Sequence, residues 1–229
     1  MTPDAKPAPL PQPTALFCDM DGLLLDSEVV YRQAWTAAAA DQGHDLTREA
    51  YAAIVGHGIA SGERTVTAQA GGNFSITAFA SAWRQHWRAI VTTHGVPKKP
   101  GAIALLDAAA ARGIPVALVT SSLREETHLV LGPLAARFRA IVTGDEVTRG
   151  KPAPDIYLLA AQRLGTTPAT GLACEDSPAG VLAAHAAGIP VIQIPDLAPI
   201  TTASRAAATR ILGSLHDLAP LLGWASLAP

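Results

Sequence analysis

The sequence predicts an α/β protein: a parallel sheet covered by helices and interrupted by an all-helical insertion. Three observations carry this. Apolar runs of strand length recur at Thr14–Cys18, Ile114–Val119, Ala140–Val142, Gly171–Cys174 and Ile189–Ile194, each ending in a small or acidic residue. Segments with helix start and stop signals separate the later runs, and strand alternating with helix is the pattern of a parallel sheet buried on both faces. Roughly ninety residues lie between the first run and the second, where a simple crossover needs about a dozen, so a further unit is inserted there.

Taken in order, Met1 to Pro13 is expected to be a loose proline-rich tail. Thr14–Cys18 is the first strand. Glu28 to Gly95 is rich in alanine and helix formers, with breaks at Gly43, Gly56 to Gly62 and Gly71-Gly72, which predicts a small helical domain. Lys98-Lys99-Pro100-Gly101 marks the return to the sheet, a stiff turn suited to a hinge. After Ile114–Val119, Ser122 with Glu125 has capping-box spacing and predicts a helix from Leu123 to Leu131, stopped by Gly132-Pro133. Pro154-Asp155 opens a helix running to Gly165. Ser177-Pro178 opens another, with a cap residue before a proline at the first helical position, and Gly188 closes it. Beyond Pro195 the Ala/Leu/Pro-rich chain carries no motif. The resulting division is a tail at 1–13, a sheet domain at 14–27 and 96–229, and a helical domain at 28–95.

Composition excludes several function classes. The 229 residues are 49% hydrophobic and 16% charged, ample apolar material for a core and too apolar for disorder. Lys and Arg total 17 against 19 Asp and Glu, a net charge of −2, so no electrostatic footprint for nucleic acid or an anionic membrane exists. Any anionic ligand must be held by local geometry. Two cysteines, Cys18 and Cys174, exclude a disulfide scaffold and a four-thiolate zinc site, and a reducing compartment is the default. No apolar run reaches the ~18 residues of a membrane span, and the first thirteen residues lack the apolar stretch and cleavage site of a signal peptide. The expectation is a soluble cytoplasmic protein, a monomer or weak homodimer.

Four short motifs carry chemistry. Asp19-Met20-Asp21-Gly22 follows the first strand. Carboxylates at i and i+2 project from one side of the chain, the glycine allows an immediate turn, and ligands of open α/β sheets bind at the carboxyl ends of strands. Read alone, an aspartate pair capping the next helix fits equally. Glu175-Asp176-Ser177 stands at a second strand-to-helix handover. If the two strands are neighbours, four acids converge, and their repulsion calls for a cation. All-oxygen donors without His or Cys point to Mg²⁺; in isolation Glu175-Asp176 is a solvated turn. Thr120-Ser121-Ser122 offers hydroxyls and successive N–H groups at a helix start, a cradle for phosphate, although capping alone explains Ser122. In Gly150-Lys151-Pro152-Ala153-Pro154-Asp155, prolines hold one lysine in place to balance phosphate charge; the plain alternative is a solvated lysine.

In this order, the motifs DMDGLLLDSE, LVTSS, GKPAPD and EDSPAG resemble the haloacid dehalogenase superfamily, in its phosphatase and phosphomutase branch with an inserted helical cap. The likeness runs from about Thr14 to Pro195. It implies a Rossmann-like core, a Mg²⁺ cofactor and a small phosphorylated metabolite as substrate. By that resemblance Asp19 is the nucleophile that takes up the phosphoryl group. Asp21 is the general acid for the leaving oxygen and then the base for water, its backbone carbonyl serving as a metal ligand. Thr120, with Ser121 beside it, orients the phosphoryl group, Lys151 neutralises nucleophile and phosphate, and Asp176 ligates Mg²⁺ beside Asp19. Glu175 belongs to the metal site, directly or through water.

Within the insertion, Glu28, His57 and Arg64 are substrate-contact candidates, with a solvated side chain as the plain alternative for His57 and Arg64. Trp83 and Trp87, four residues apart, read as core of the insertion ahead of a sugar platform. Cys18 and Cys174 read as small buried residues. Three readings compete: a phosphatase of the sugar-phosphate or phosphoglycolate type, a hexose phosphomutase, and a non-catalytic phosphometabolite-binding module. Asp21 with Glu175-Asp176 disfavours dehalogenation. Tyr31 and Ile59 stand where the best-known mutases carry a histidine and an arginine, which weakens the mutase reading. The presence of Asp19, Asp21 and Lys151 weakens the binding module.

Overall fold

The computed structural model describes residues 10–54 and 59–224. The first strand is β1 (Leu16–Cys18), followed by four helices, α1 (Ser27–Ala40), α2 (Arg48–Ala52), α3 (Ile59–Ala70) and α4 (Ile76–His94). The chain then runs α5 (Ala102–Ala111), β2 (Val116–Val119), α6 (Arg124–Leu131), β3 (Ala140–Val142), α7 (Asp155–Leu164) and β4 (Leu172–Glu175). It finishes with α8 (Pro178–Ala186), β5 (Val191–Gln193), α9 (Thr202–Ala207), β6 (Arg210–Ile211) and α10 (Leu218–Leu221). Two compact units result: one reaches Leu25 and resumes at Lys98, and the other is Asp26–Pro97.

The sheet is parallel throughout, in the order β3-β2-β1-β4-β5-β6. Its strand order reverses beside β1, so the carboxyl ends of β1 and β4 bound the crevice where α/β proteins place ligands. The register pairs Cys18 with both Leu118 and Cys174, which brings Asp19 level with Val119 and Glu175. Both sheet faces are buried, and one is packed by Phe17, Val119, Ala173, Val191, Ile156 and Tyr157. Cys18 and Cys174 are buried free thiols on neighbouring strands. The short edge strand β6 is an addition to the five strands the apolar runs predict. Its two residues, Arg210 and Ile211, are too few to make a run.

Two local expectations are corrected. Ser122 does not cap α6: Leu123 is the N-cap residue and offers no side-chain bond, while Arg124 N–H donates to Asp145 Oδ1 at 3.2 Å. The capping boxes form instead at Thr143/Glu146 and Thr201/Ser204. Glu146 also accepts from Arg124 and Arg163, and the Arg163 hydrogen bonds hold its carboxyl down to about 2. Near the start of the described chain, Leu10 N–H donates to Leu221 O, and Gln12 exchanges bonds with Leu222 O and Trp224 Nε1. Leu10–Gln12 are therefore pinned to the C-terminal segment, whereas the remainder of the expected tail, Met1–Pro9, lies outside the described residues.

In the Asp26–Pro97 unit α1 and α4 pack along each other around aromatic rings. Trp35 meets Phe79 edge-on at 5.3 Å and Tyr51 edge-on at 6.0 Å, and Tyr31 stacks on Trp87 at 6.0 Å. Trp83 and Trp87 are 4% and 7% exposed, with Trp83 Nε1 donating to Glu63 Oε1 at 2.9 Å, so both are core residues of this unit. Among the described residues no helix is long and apolar enough to cross a membrane.

Candidate active site

At the carboxyl end of β1 the chain turns through Asp19-Met20-Asp21-Gly22. Asp19 stays attached to β4 through its N–H on Cys174 O at 3.1 Å. Its carboxylate is nearly buried, and Lys151 Nζ donates to Asp19 Oδ1 at 2.6 Å. Lys151 reaches this point from the loop before α7 and also donates to Val119 O at 3.0 Å and to Glu175 Oε1. Thus one ammonium, 5% exposed, ties together the ends of β1, β2 and β4. Burial pulls its pKa down, but Asp19 and Glu175 outweigh burial and raise it, so Lys151 is charged throughout the physiological range.

Carboxylate oxygens of Asp19, Glu175 and Asp176 lie within 4.8 Å of one another. Glu175, at the end of β4, is fully buried: Oε1 accepts from Lys151 and from Tyr157 Oη at 2.6 Å, and Oε2 from Ser177 Oγ at 3.2 Å. Burial raises the Asp19 carboxyl well above the usual range; Lys151 opposes this, and Glu175, Asp176 and Asp21 add to it. Asp176 is pushed up to about 7 by burial and by Glu175, against Lys151, with a further upward contribution from Asp196. Gly22 closes the centre from the side. At φ +80° it occupies backbone space other residues avoid, and a Cβ there would lie 2.5 Å from Asp176 Oδ2.

This donor set fits a hard divalent cation. It consists of carboxylate oxygens that repel one another, lacks His and Cys, and has one buried lysine to balance several acids. A pH dependence follows for the metal-free protein. Asp176 carries a pKa raised to about 7, so between about 4 and 7 the native state holds a proton that the unfolded chain, near 3.9, has released, and the raised Asp19 carboxyl acts in the same direction. Stability in chelator is therefore expected to fall as pH rises across that window. The gain from added Mg²⁺ should be larger at pH 8 than at pH 5, as read by thermal unfolding midpoints.

The other sequence candidates are placed as follows. Asp21 turns its carboxylate to Ser122, whose Oγ donates to Asp21 Oδ2 at 2.9 Å. Thr120 is buried, with its Oγ1 accepting from Ser122 N–H at 3.1 Å, and Ser121 is exposed beside it. Gly144 packs on this loop so closely that a Cβ would lie 2.2 Å from Ser121 O. Glu28 and Arg64 belong to the inserted unit: Glu28 Oε1 accepts from Tyr51 Oη, and Arg64 stands exposed on α3. His57 lies outside the described residues. Two contacts of the site carry no local sequence signal. Tyr157 sits at an apolar position of α7, although a tyrosine on a buried helix face requires a partner for its hydroxyl. Ser122 belongs to the expected phosphate cradle, with a helix cap as its plain alternative, and neither reading gives its bond to Asp21.

A haloacid dehalogenase-like hydrolase family model matches residues 13–188. Hexitol phosphatase A of Escherichia coli is 37% identical over 183 residues, 77% of this chain and 80% of that protein. Protein CbbY of Rhodobacter capsulatus is 35% identical over 192 residues, 79% of this chain and 85% of that protein. Among solved structures, a haloacid dehalogenase family hydrolase from Deinococcus radiodurans with bound phosphate and sodium superposes with a TM-score of 0.77 at 30% identity, covering 94% of this chain and 98% of that one. The chain belongs to the haloacid dehalogenase-like hydrolases, in their phosphatase branch.

Proposed function

We propose that this chain is a Mg²⁺-dependent phosphatase that hydrolyses a small phosphorylated metabolite, of the sugar-phosphate or phosphoglycolate type, through a phosphorylated Asp19. The observation that carries this reading is Asp19 itself. It stands at the strand-order reversal with Lys151 on one oxygen and with Glu175 and Asp176 within ligand distance. Relatives named as a hexitol phosphatase and a phosphorylated carbohydrates phosphatase support the substrate class.

An Asp19 carboxylate oxygen attacks phosphorus as the bond from phosphorus to the leaving oxygen breaks, and the Asp21 carboxyl gives its proton to that oxygen. The Asp21 carboxylate then takes a proton from water, whose oxygen attacks the phosphoryl group and returns Asp19 to its starting form with release of inorganic phosphate. Ser122 holds Asp21 Oδ2 and so fixes the direction from which the proton travels. Thr120, Ser121 and Lys151 orient the phosphoryl oxygens and neutralise their charge. Mg²⁺, held by Asp19, Asp176 and the Asp21 carbonyl with Glu175 behind them, would supply electrostatic stabilisation of the phosphoryl group. The combination is required because phosphate-monoester hydrolysis demands up to about 10²¹ in rate, roughly 28 kcal/mol, whereas orientation supplies about 7–11 kcal/mol. Glu28, His57 and Arg64 are the candidates for selectivity toward the organic part of the substrate.

The test is phosphate release from p-nitrophenyl phosphate and from a panel of sugar phosphates. Activity is expected with Mg²⁺, a fall of at least ~10²-fold in EDTA, and recovery on re-addition. A null across metals and pH 5–8 would leave a binding module. Bisphosphate-stimulated interconversion of hexose phosphates with little free phosphate would identify a mutase.

A further inference from the structure

Beside the acidic centre stands an ion pair that the proposed reaction does not use. Lys99 is the second residue of the sheet unit after the insertion, and its Nζ donates to Asp196 Oδ1 at 2.6 Å. Asp196 follows β5 through Ile194-Pro195, and both side chains are mostly buried. The pair borders a cavity of about 230 Å³ whose wall includes Gly22, Leu23 and Ser214.

The second oxygen of Asp196 lies beside Gly22, at the edge of the acidic centre. The point where a Cβ on Gly22 would lie is 3.3 Å from Asp196 Oδ2 and 2.5 Å from Asp176 Oδ2, so the bare backbone of Gly22 is flanked by both carboxylates. Asp196 is thus divided between a lysine on one oxygen and a neighbouring acid near the other. If the pair served only to fasten the loop after β5 to the segment at Lys99, an acid facing Asp176 would be a liability, because two carboxylates drawn out of water repel. The liability reverses once a divalent cation sits among Asp19, Glu175 and Asp176. A nearby anion then adds to the attraction, and a nearby ammonium subtracts from it.

We propose that Lys99 and Asp196 are tuning residues that set the affinity of the acidic centre for its divalent cation, with Asp196 raising it and Lys99 lowering it. This rests on the reading of that centre as a cation site. Partners outside the ligand shell commonly change metal affinity by about 10- to 100-fold, and Asp196, acting through space, belongs at the lower end of that range.

The test uses the full chain, titrated with Mg²⁺ alone and read by the shift of the thermal midpoint, with Mg²⁺-dependent phosphate release in parallel. Asp196→Asn is expected to raise the Mg²⁺ dissociation constant about 10-fold, and Lys99→Gln to lower it several-fold; Lys99→Arg keeps the wild-type constant. Opposite signs are the mark of the electrostatic role, since a purely structural pair loses stability in both variants without splitting the metal affinities. Equal constants, or a shift of both in one direction, would overturn the inference. Should Asp196→Asn fold poorly, the Lys99→Gln and Lys99→Arg pair decides by itself. A wild-type chain that shows neither a Mg²⁺-dependent midpoint nor Mg²⁺-dependent phosphate release would overturn the cation site together with its tuning. A wild-type response without the split overturns the tuning alone.

Discussion

Asp19→Asn is expected to lower phosphate release by at least about 10⁴-fold, some 5.5 kcal/mol of barrier, while the protein stays folded. The change is nearly isosteric, and the amide oxygen still accepts from Lys151, so the packing at the end of β1 persists. What disappears is the charge and nucleophilicity of the one carboxylate that the structure holds level with both β2 and β4. The stability consequence has the opposite sign to that of removing an ordinary paired acid. Burial, with Glu175, Asp176 and Asp21 adding to it and Lys151 opposing it, holds the Asp19 carboxyl above the usual range, so removing its charge relieves a net penalty of desolvation and repulsion. In chelator the variant should melt at or above the wild-type midpoint, and the added stabilisation by Mg²⁺ should shrink. Steady-state assays with mass spectrometry to exclude deamidation, together with thermal melts, measure both. A variant that retained a tenth of wild-type turnover would remove Asp19 from the nucleophile's place.

Most residues of this centre were legible in the sequence because they sit at or directly after the end of a strand, where an apolar run ends abruptly in acids or hydroxyls. Asp19, Thr120, Glu175 and Asp176 all carry that local signal. Lys151 was visible through the prolines around it. What could not be read is which group bonds which. Ser122 has the spacing of a helix cap, yet the turn that brings Asp21 within 2.9 Å of it is made a hundred residues earlier in the chain. Tyr157 counts as an apolar position of α7 until β4 places Glu175 beneath its hydroxyl. Asp196 stands in a segment without any motif, and only the fold brings it to Lys99 and Gly22. Strand β6 was lost for a simpler reason, since two residues leave no periodicity to detect. Local pattern thus identified the groups that end strands, while bonds made across long sequence separations required the fold.

Gly180→Ala should be the most damaging small substitution outside the reacting groups. Gly180 lies in the first turn of α8 with its N–H on Ser177 Oγ at 3.1 Å, and its backbone is helical. Helix propensity alone makes alanine better there by about 1 kcal/mol. Here the sign reverses, because the position of the new Cβ is already filled: it would lie 1.9 Å from Glu175 Cδ and 2.0 Å from each carboxylate oxygen. Glu175 has nowhere to go. Its oxygens are fixed by Lys151, Tyr157 and Ser177 in a fully buried site. Either α8 is pushed off the sheet or Glu175 surrenders these partners, and breaking a buried pair costs about 3–5 kcal/mol. The expected result is a midpoint lowered by several degrees and kcat/KM reduced by ~10²-fold or more, because Lys151 loses the carboxylate that, together with Val119 O, aims it at Asp19. Gly213→Ala, where the nearest atom to the new Cβ is 3.9 Å away, is the control and should be close to neutral. Combining Gly180→Ala with Glu175→Asp shortens the obstructing side chain and should recover part of the stability, a coupling that a double-mutant cycle measures directly. If Gly180→Ala instead stabilised the chain as an ordinary helical glycine replacement would, with turnover intact, the buried Glu175–Lys151–Tyr157 arrangement would have to be abandoned.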